Sequence, residues 1–194
     1  MKKDFTKDER NFINKLKLIQ QKLWSNSFDE FKRINPLIED ITNWKQKGKF
    51  LFGEKNITIY DSATIVGDVV VGENTWIGPY TALDGNGGLK IGKNCSISSG
   101  VNIVSHDSVK WALSGGKEDY EYSRITIGDN CFIGTRSFIS KGVKIGSNCL
   151  IAAGSVVTKS FPNNTIIGGI PAKKIGTVEF DQNGRVKLIY DSKV

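Results

Sequence analysis

The chain has 194 residues, 39% hydrophobic and 24% charged, a soluble globular composition that is long enough for one principal core with appendages and unlike that of a disordered segment. No apolar run approaches the roughly 20 residues of a membrane span, and no apolar leader follows the charged start MKKDFTKDERN, so a cytoplasmic location is expected. The formal charge of +7 lies mainly in residues 1–50, which hold 12 Lys/Arg and 7 Asp/Glu without a tight basic cluster, and this argues against a nucleic-acid partner.

Residues 1–50 read as an N-terminal segment of short helices. Thr6 with Glu9 makes a capping-box pattern, followed at helical spacing by Phe12, Leu16, Ile19 and Leu23. Ser27 with Glu30 repeats the pattern. Asn35-Pro36 reads as a cap and first-turn proline opening a third helix towards Trp44, with Gly48 as its stop. The segment's apolar stripe calls for something to pack on.

From Ile59 the period becomes six. Aliphatics recur at Ile59, Ile65, Val71, Ile77 and Leu83, slip by two residues through Asp84–Gly88, and resume at Ile91, Ile97 and Ile103. They return at Ile127, Ile133, Ile139, Ile145, Ile151 and Val157. A fixed hexad over residues 51–176 predicts a mainly β protein, a parallel β-helix of hexapeptide repeats with three hexads to a coil. Four residues after each aliphatic comes a usually small residue, among them Cys95, Cys131, Cys149, Ser137 and Ser155, which reads as a second inward row. The three cysteines are then core residues rather than a disulfide set or zinc site, and no metal is expected.

Three residues after the aliphatic, Asn74, Asn94, Gly100, Asn130, Gly142, Asn148 and Gly154 mark corners of positive φ. His106 and Arg136 occupy the same phase. An interruption from Asp107 to Arg124 starts directly after His106, and a long excursion from a compact repeat is usually functional. Residues 177–194 read as a C-terminal hairpin turning at Asp181-Gln182-Asn183-Gly184.

The hexads, the corner histidine with its excursion and the closing Gly168-Gly169-Ile170-Pro171-Ala172-Lys173 together resemble the hexapeptide-repeat acyltransferases, in particular the maltose- and galactoside-type sugar O-acetyltransferases. The resemblance implies a left-handed coil, a homotrimer with intersubunit active sites, acetyl-CoA as co-substrate, and an acceptor that is a sugar, a nucleotide-linked sugar or another small hydroxylated molecule.

Acetyl transfer to a hydroxyl needs a base for the hydroxyl proton and donors for the tetrahedral oxyanion. His106, the one histidine in the chain, suits the base, because imidazole titrates near neutral pH. Asp107, Glu118, Asp119, Glu121 or a backbone carbonyl are the candidates to orient it. The resemblance places the oxyanion donor at the Thr135 N–H and the pantetheine contact at Phe132. It places further acetyl-CoA contacts at Ala153, Gly154, Ser155, Thr158, Lys159, Lys173 and Lys174. Asp84 and Asn86 sit where relatives hold sugar hydroxyls, and Trp111 and Tyr120 in the excursion are suited to stack on a sugar face. Where many relatives carry a further basic residue, this chain has Gly176.

One histidine excludes a three-histidine zinc site of the γ-carbonic anhydrase kind. The remaining rivals are an N-acetyltransferase acting on an amino sugar and a non-catalytic hexapeptide scaffold.

Overall fold

The computed structural model describes residues 5–191 and divides into two compact units, with the boundary after Asn43. Among the described residues no helix is long and apolar enough to cross a membrane.

The first unit is helical. Its main helix, α1 (Lys7–Phe31), opens on the expected capping box, with the Thr6 hydroxyl accepting from the Glu9 N–H and the Glu9 carboxylate accepting from the Thr6 N–H. It then runs unbroken through Ser27, so the expected second start is absent; the Ser27 hydroxyl turns to Asp40 at 3.4 Å instead of capping backbone. The helix ends at Lys32, in the left-handed conformation. Pro36 is extended and precedes α2 (Leu37–Ile41), while the Asn35 side-chain amide donates to Asp40 at 2.8 Å and no side chain caps the helix N-terminus.

The second unit begins with α3 (Trp44–Phe52), most of which falls within residues 1–50, the span that the sequence pattern groups as an N-terminal segment. Gly48 lies inside this helix instead of stopping it. A Cβ at Gly48 would fall 2.0 Å from the Ile57 carbonyl oxygen, so its absence lets the helix touch the first coil of the solenoid. The stop is Gly53, at φ 79°. Trp44 stacks on Tyr60 at 3.9 Å, and the Lys47 ammonium donates to the Tyr60 and Asp61 carbonyls, so α3 is tied to the backbone of the first coil. Gly48→Ala should lower stability by about 1–3 kcal/mol, the usual range for overpacking, seen as a lower urea midpoint at unchanged slope.

Beyond Ile57 the chain is a parallel β-solenoid of about six turns, the architecture of the left-handed β-helix. Equivalent hexads stack in register, Ile59 on Ile77, Ile77 on Ile97, Ile97 on Ile133 and Ile133 on Ile151. Thirteen of the fourteen phase aliphatics are fully buried, and Ile65 packs against them from a partly exposed position. The small second row is buried as well. Its hydroxyls and thiols donate to carbonyls, as Ser137 does to Gly134 at 2.8 Å and Cys131 to Gly146 at 3.1 Å. Cys131 lies between Cys149 and Cys95, and these neighbours together with burial push its thiol up, which keeps it protonated. One corner carries a ladder of amides, with Asn94 donating to Asn130, Asn130 to Asn148 and Asn148 to Asn164 at 2.9–3.1 Å.

The closing strand Ala172–Phe180 turns back antiparallel on Thr165–Gly169 and pairs with Val186–Tyr190. The hairpin's first strand therefore starts at Ala172, within the segment read as the solenoid's end. Gly176 packs where a Cβ would meet the Ile189 carbonyl at 2.3 Å, so no basic side chain fits there.

Candidate active site

The excursion is set by register. Asn94 and Asn130 stack although 36 residues apart, whereas Asn130 and Asn148 stack at 18, so one coil's length of chain is looped out. Its two ends lie side by side, with the Ser123 N–H donating to the Ser105 carbonyl at 2.9 Å. The loop carries a short helix, α4 (Val109–Leu113), and a two-residue strand, Glu121–Tyr122, paired antiparallel with His106–Asp107.

His106 is therefore not a left-handed corner. The chain leaves the coil at this residue as an extended strand, and His106 is absent from the positive-φ residues that include Asn94, Asn130 and Arg136. Its imidazole lies near-parallel to the Tyr122 ring at 5.7 Å and to the Tyr120 ring at 6.3 Å. Nδ1 is buried and in contact with Oδ2 of Asp84, a close approach off the line of a well-formed hydrogen bond. The other Asp84 oxygen accepts from the Asn86 N–H at 2.7 Å and the Ser105 hydroxyl at 3.3 Å. The Ser105 hydroxyl in turn accepts from the Gly87 N–H at 2.8 Å. This web fixes the carboxylate from the slipped segment beneath the imidazole.

Asp84 is thus the carboxylate at His106, and none of the four loop candidates is. Asp107 and Glu121 are both held by Lys141, at 2.9 Å and 2.6 Å, and Glu121 also by Lys110 at 2.8 Å. The hydrogen bond from Lys141, followed by the Val109 N–H, holds the Asp107 carboxyl below the usual carboxylate range. Lys110 and then Lys141 do the same for Glu121, and these carboxylates raise Lys141, Glu121 first. Since both folded-state carboxylates titrate low, their anchoring of the loop is intact at neutral pH and is lost only as the pH falls below the ordinary carboxylate range. The pairs are exposed, so each is weak. Lys141→Ala should speed tryptic cleavage at Lys117 roughly two- to fivefold at neutral pH, with the solenoid still resistant.

Trp111 and Tyr120 come together as expected, edge to face at 5.7 Å, and with Asp119 and Tyr122 they line a cleft of about 600 Å³. Asn86 is exposed beside Asp84. Sequence reasoning missed Tyr122, whose signal was its place opposite His106 once the excursion closes as a ladder.

The residues mapped to oxyanion and acetyl-CoA binding fall in separate groups. Thr135 stacks with Ala153 and Gly154, its carbonyl accepting from the Gly154 N–H at 2.8 Å, at the Arg136 corner. Thr158 and Lys159 lie beyond the next face, on the side where Ile103, Ile139 and Val157 lead the chain to His106, Gly142 and Ser160. Lys173 and Lys174 are exposed on the closing strand. One chain does not bring Thr135 to His106. Ser155 is fully buried, with its hydroxyl donating to the Ala152 carbonyl at 2.6 Å, so its side chain has no face for a ligand. Phe132 is half exposed but turns towards the C-terminal hairpin, lining an apolar groove with Leu150, Phe180 and Leu188 rather than facing the excursion.

The chain is similar in sequence and fold to known proteins. A family model described as the hexapeptide repeat of succinyl-transferase matches residues 124–159. Protein CapG of Staphylococcus aureus is 51% identical over 92 residues, 47% of this chain and 54% of CapG, so the match spans about half of that relative's length. The galactoside O-acetyltransferase of Escherichia coli is 31% identical over 140 residues, covering 62% of this chain and 67% of that protein. Among solved structures, a maltose O-acetyltransferase from Clostridium difficile superposes with a TM-score of 0.55 at 27% identity, over 87% of this chain and 89% of that one.

Proposed function

The chain belongs to the hexapeptide-repeat acetyltransferases, and from that premise we propose that it transfers an acetyl group from acetyl-CoA to a hydroxyl of a sugar, free or nucleotide-linked, with His106 as general base. The observation that carries this reading is the imidazole seated on the Asp84 carboxylate and near-parallel to Tyr120 and Tyr122, two of the rings that line the cleft.

In this reading Nε2 of His106 takes the acceptor hydroxyl proton as the oxygen attacks the thioester carbonyl. The tetrahedral oxyanion collapses, the C–S bond breaks, and the imidazolium returns the proton to the departing thiolate. Asp84 holds Nδ1 and offsets the positive charge that develops on the ring. Thr135 supplies its N–H to the oxyanion from a neighbouring copy, because within one chain it occupies a different corner; this is the reason to expect a homotrimer as the working form. Ala153 and Gly154 offer backbone, and Thr158, Lys159, Lys173 and Lys174 offer exposed polar side chains, to pantetheine and phosphates. Trp111 and Tyr120 hold the sugar face, with Asn86 beside the reacting hydroxyl.

An amino-sugar acceptor is the second reading. Asp119 in the cleft favours it, since a carboxylate suits an ammonium group. The deciding experiment is CoA thiol release from acetyl-CoA across a panel of sugars, nucleotide sugars and amino sugars. Release with a hydroxyl acceptor alone supports O-acetylation, and release confined to amino sugars moves the assignment to nitrogen. A chain that neither releases thiol nor binds CoA is a scaffold.

A further inference from the structure

We propose that the strand Val186–Tyr190 is the seat of a twofold contact with a second copy of this chain, an interface independent of the acetyl-transfer site. The strand closes the eight-stranded sheet, and no strand covers its outer edge among the described residues. All five of its residues are exposed, although Val186, Leu188, Ile189 and Tyr190 are apolar or aromatic. A long apolar edge is a template for another strand unless something blunts it.

The backbone decides which groups point outward. Asp181 donates to the Arg185 carbonyl at 3.0 Å and Asp191 to the Ile175 carbonyl at 2.9 Å, both across the Ala172–Phe180 partner strand's ladder. Hydrogen-bonded and non-hydrogen-bonded pairs alternate in an antiparallel ladder. Residues 185, 187, 189 and 191 therefore turn their amide groups inward, and Val186, Leu188 and Tyr190 turn theirs to the open edge.

An antiparallel pairing centred on Leu188 uses all three. Leu188 meets its own symmetry mate, Val186 meets Tyr190 of the second copy, and the reciprocal pair repeats on the other side of the axis. The same register sets Arg185 against Asp191 of the second copy at each end, opposite charges on directly facing residues. The face agrees with the edge. Val186 and Leu188 form one wall of the apolar groove of about 430 Å³ lined also by Phe132, Leu150, Val178 and Phe180. Directly opposed residues share a face of a sheet, so the second copy's Leu188 and Tyr190 extend that wall. A self-complementary edge, charged ends of opposite sign and an apolar face continued by the same residues fit a copy of this chain better than an unrelated peptide.

The test is particle mass by light scattering and sedimentation on the full chain. Leu188→Pro removes the central outward N–H, and its particle should have about half the wild-type mass. Arg185→Asp sets like charges against each other without altering the backbone; it should raise the dissociation constant of the pairing roughly tenfold. Arg185→Asp with Asp191→Arg should restore it. Equal masses for wild type and Leu188→Pro at every concentration, or pairing indifferent to Arg185→Asp, would overturn the proposal. CoA thiol release per chain by the Arg185 variant reports the transferase separately, so the two readings stand or fall apart.

Discussion

His106→Ala should lower kcat about 10²- to 10⁴-fold, the span typical of a lost general base, with the KM for acetyl-CoA changed by no more than a few-fold. In the proposed mechanism this imidazole alone takes the acceptor proton, so no second group stands in for it when the ring is removed. Tyr120 and Tyr122 lie near-parallel to the ring and Asp84 faces Nδ1, so Nε2 is the atom proposed to take the proton. Neither ring nor carboxylate supports the solenoid core, so the variant should keep its thermal midpoint within a degree or two. Undiminished turnover in His106→Ala would remove the mechanism.

Asp84→Asn should lower kcat by on the order of 10² while leaving acceptor KM nearly unchanged. The substitution keeps the size of the side chain and an oxygen for the Asn86 N–H and Ser105 hydroxyl, and removes the charge facing Nδ1. The split between parameters is the informative part. A residue that binds a sugar hydroxyl, the role first expected of Asp84, would show itself in acceptor KM with kcat preserved. A residue that holds the base shows itself in kcat, and His106→Ala/Asp84→Asn should then be no slower than His106→Ala alone.

The solenoid was legible because every coil imposes the same environment on the same phase, so fourteen aliphatics repeat one instruction. The excursion was legible for the same reason, as a break in a fixed count. What the sequence hid lay where a contact depends on two distant registers at once. Asp84 reaches His106 only because the two-residue slip sets it beside Val104, a pairing of offset twenty that no hexad count displays. His106 kept the corner phase but not the corner conformation, since the chain departs there into a ladder with Tyr122. Gly48 looked like a helix stop because the Ile57 carbonyl that requires it lies outside the helix. Ser155 belonged to two readings, the inward small row and the acetyl-CoA set, and the inward row prevailed for its side chain.

The side-by-side ends of the excursion have a further consequence. Ser105 and Ser123 meet as though the intervening chain did not exist, and the coils on either side stack Ile91 on Ile127 and Ile103 on Ile139 without distortion. To the core, the excursion is a self-contained cassette clipped between two fixed pins. Doubling its length would cost only about 0.6 kcal/mol of closure entropy, so the coils should tolerate wholesale replacement of the loop between the pins. A replaced excursion should leave the Asp84–His106 contact where it is, because Asp84 is carried by the coil strand Ala82–Ile91 and His106 leaves the coil before the loop begins.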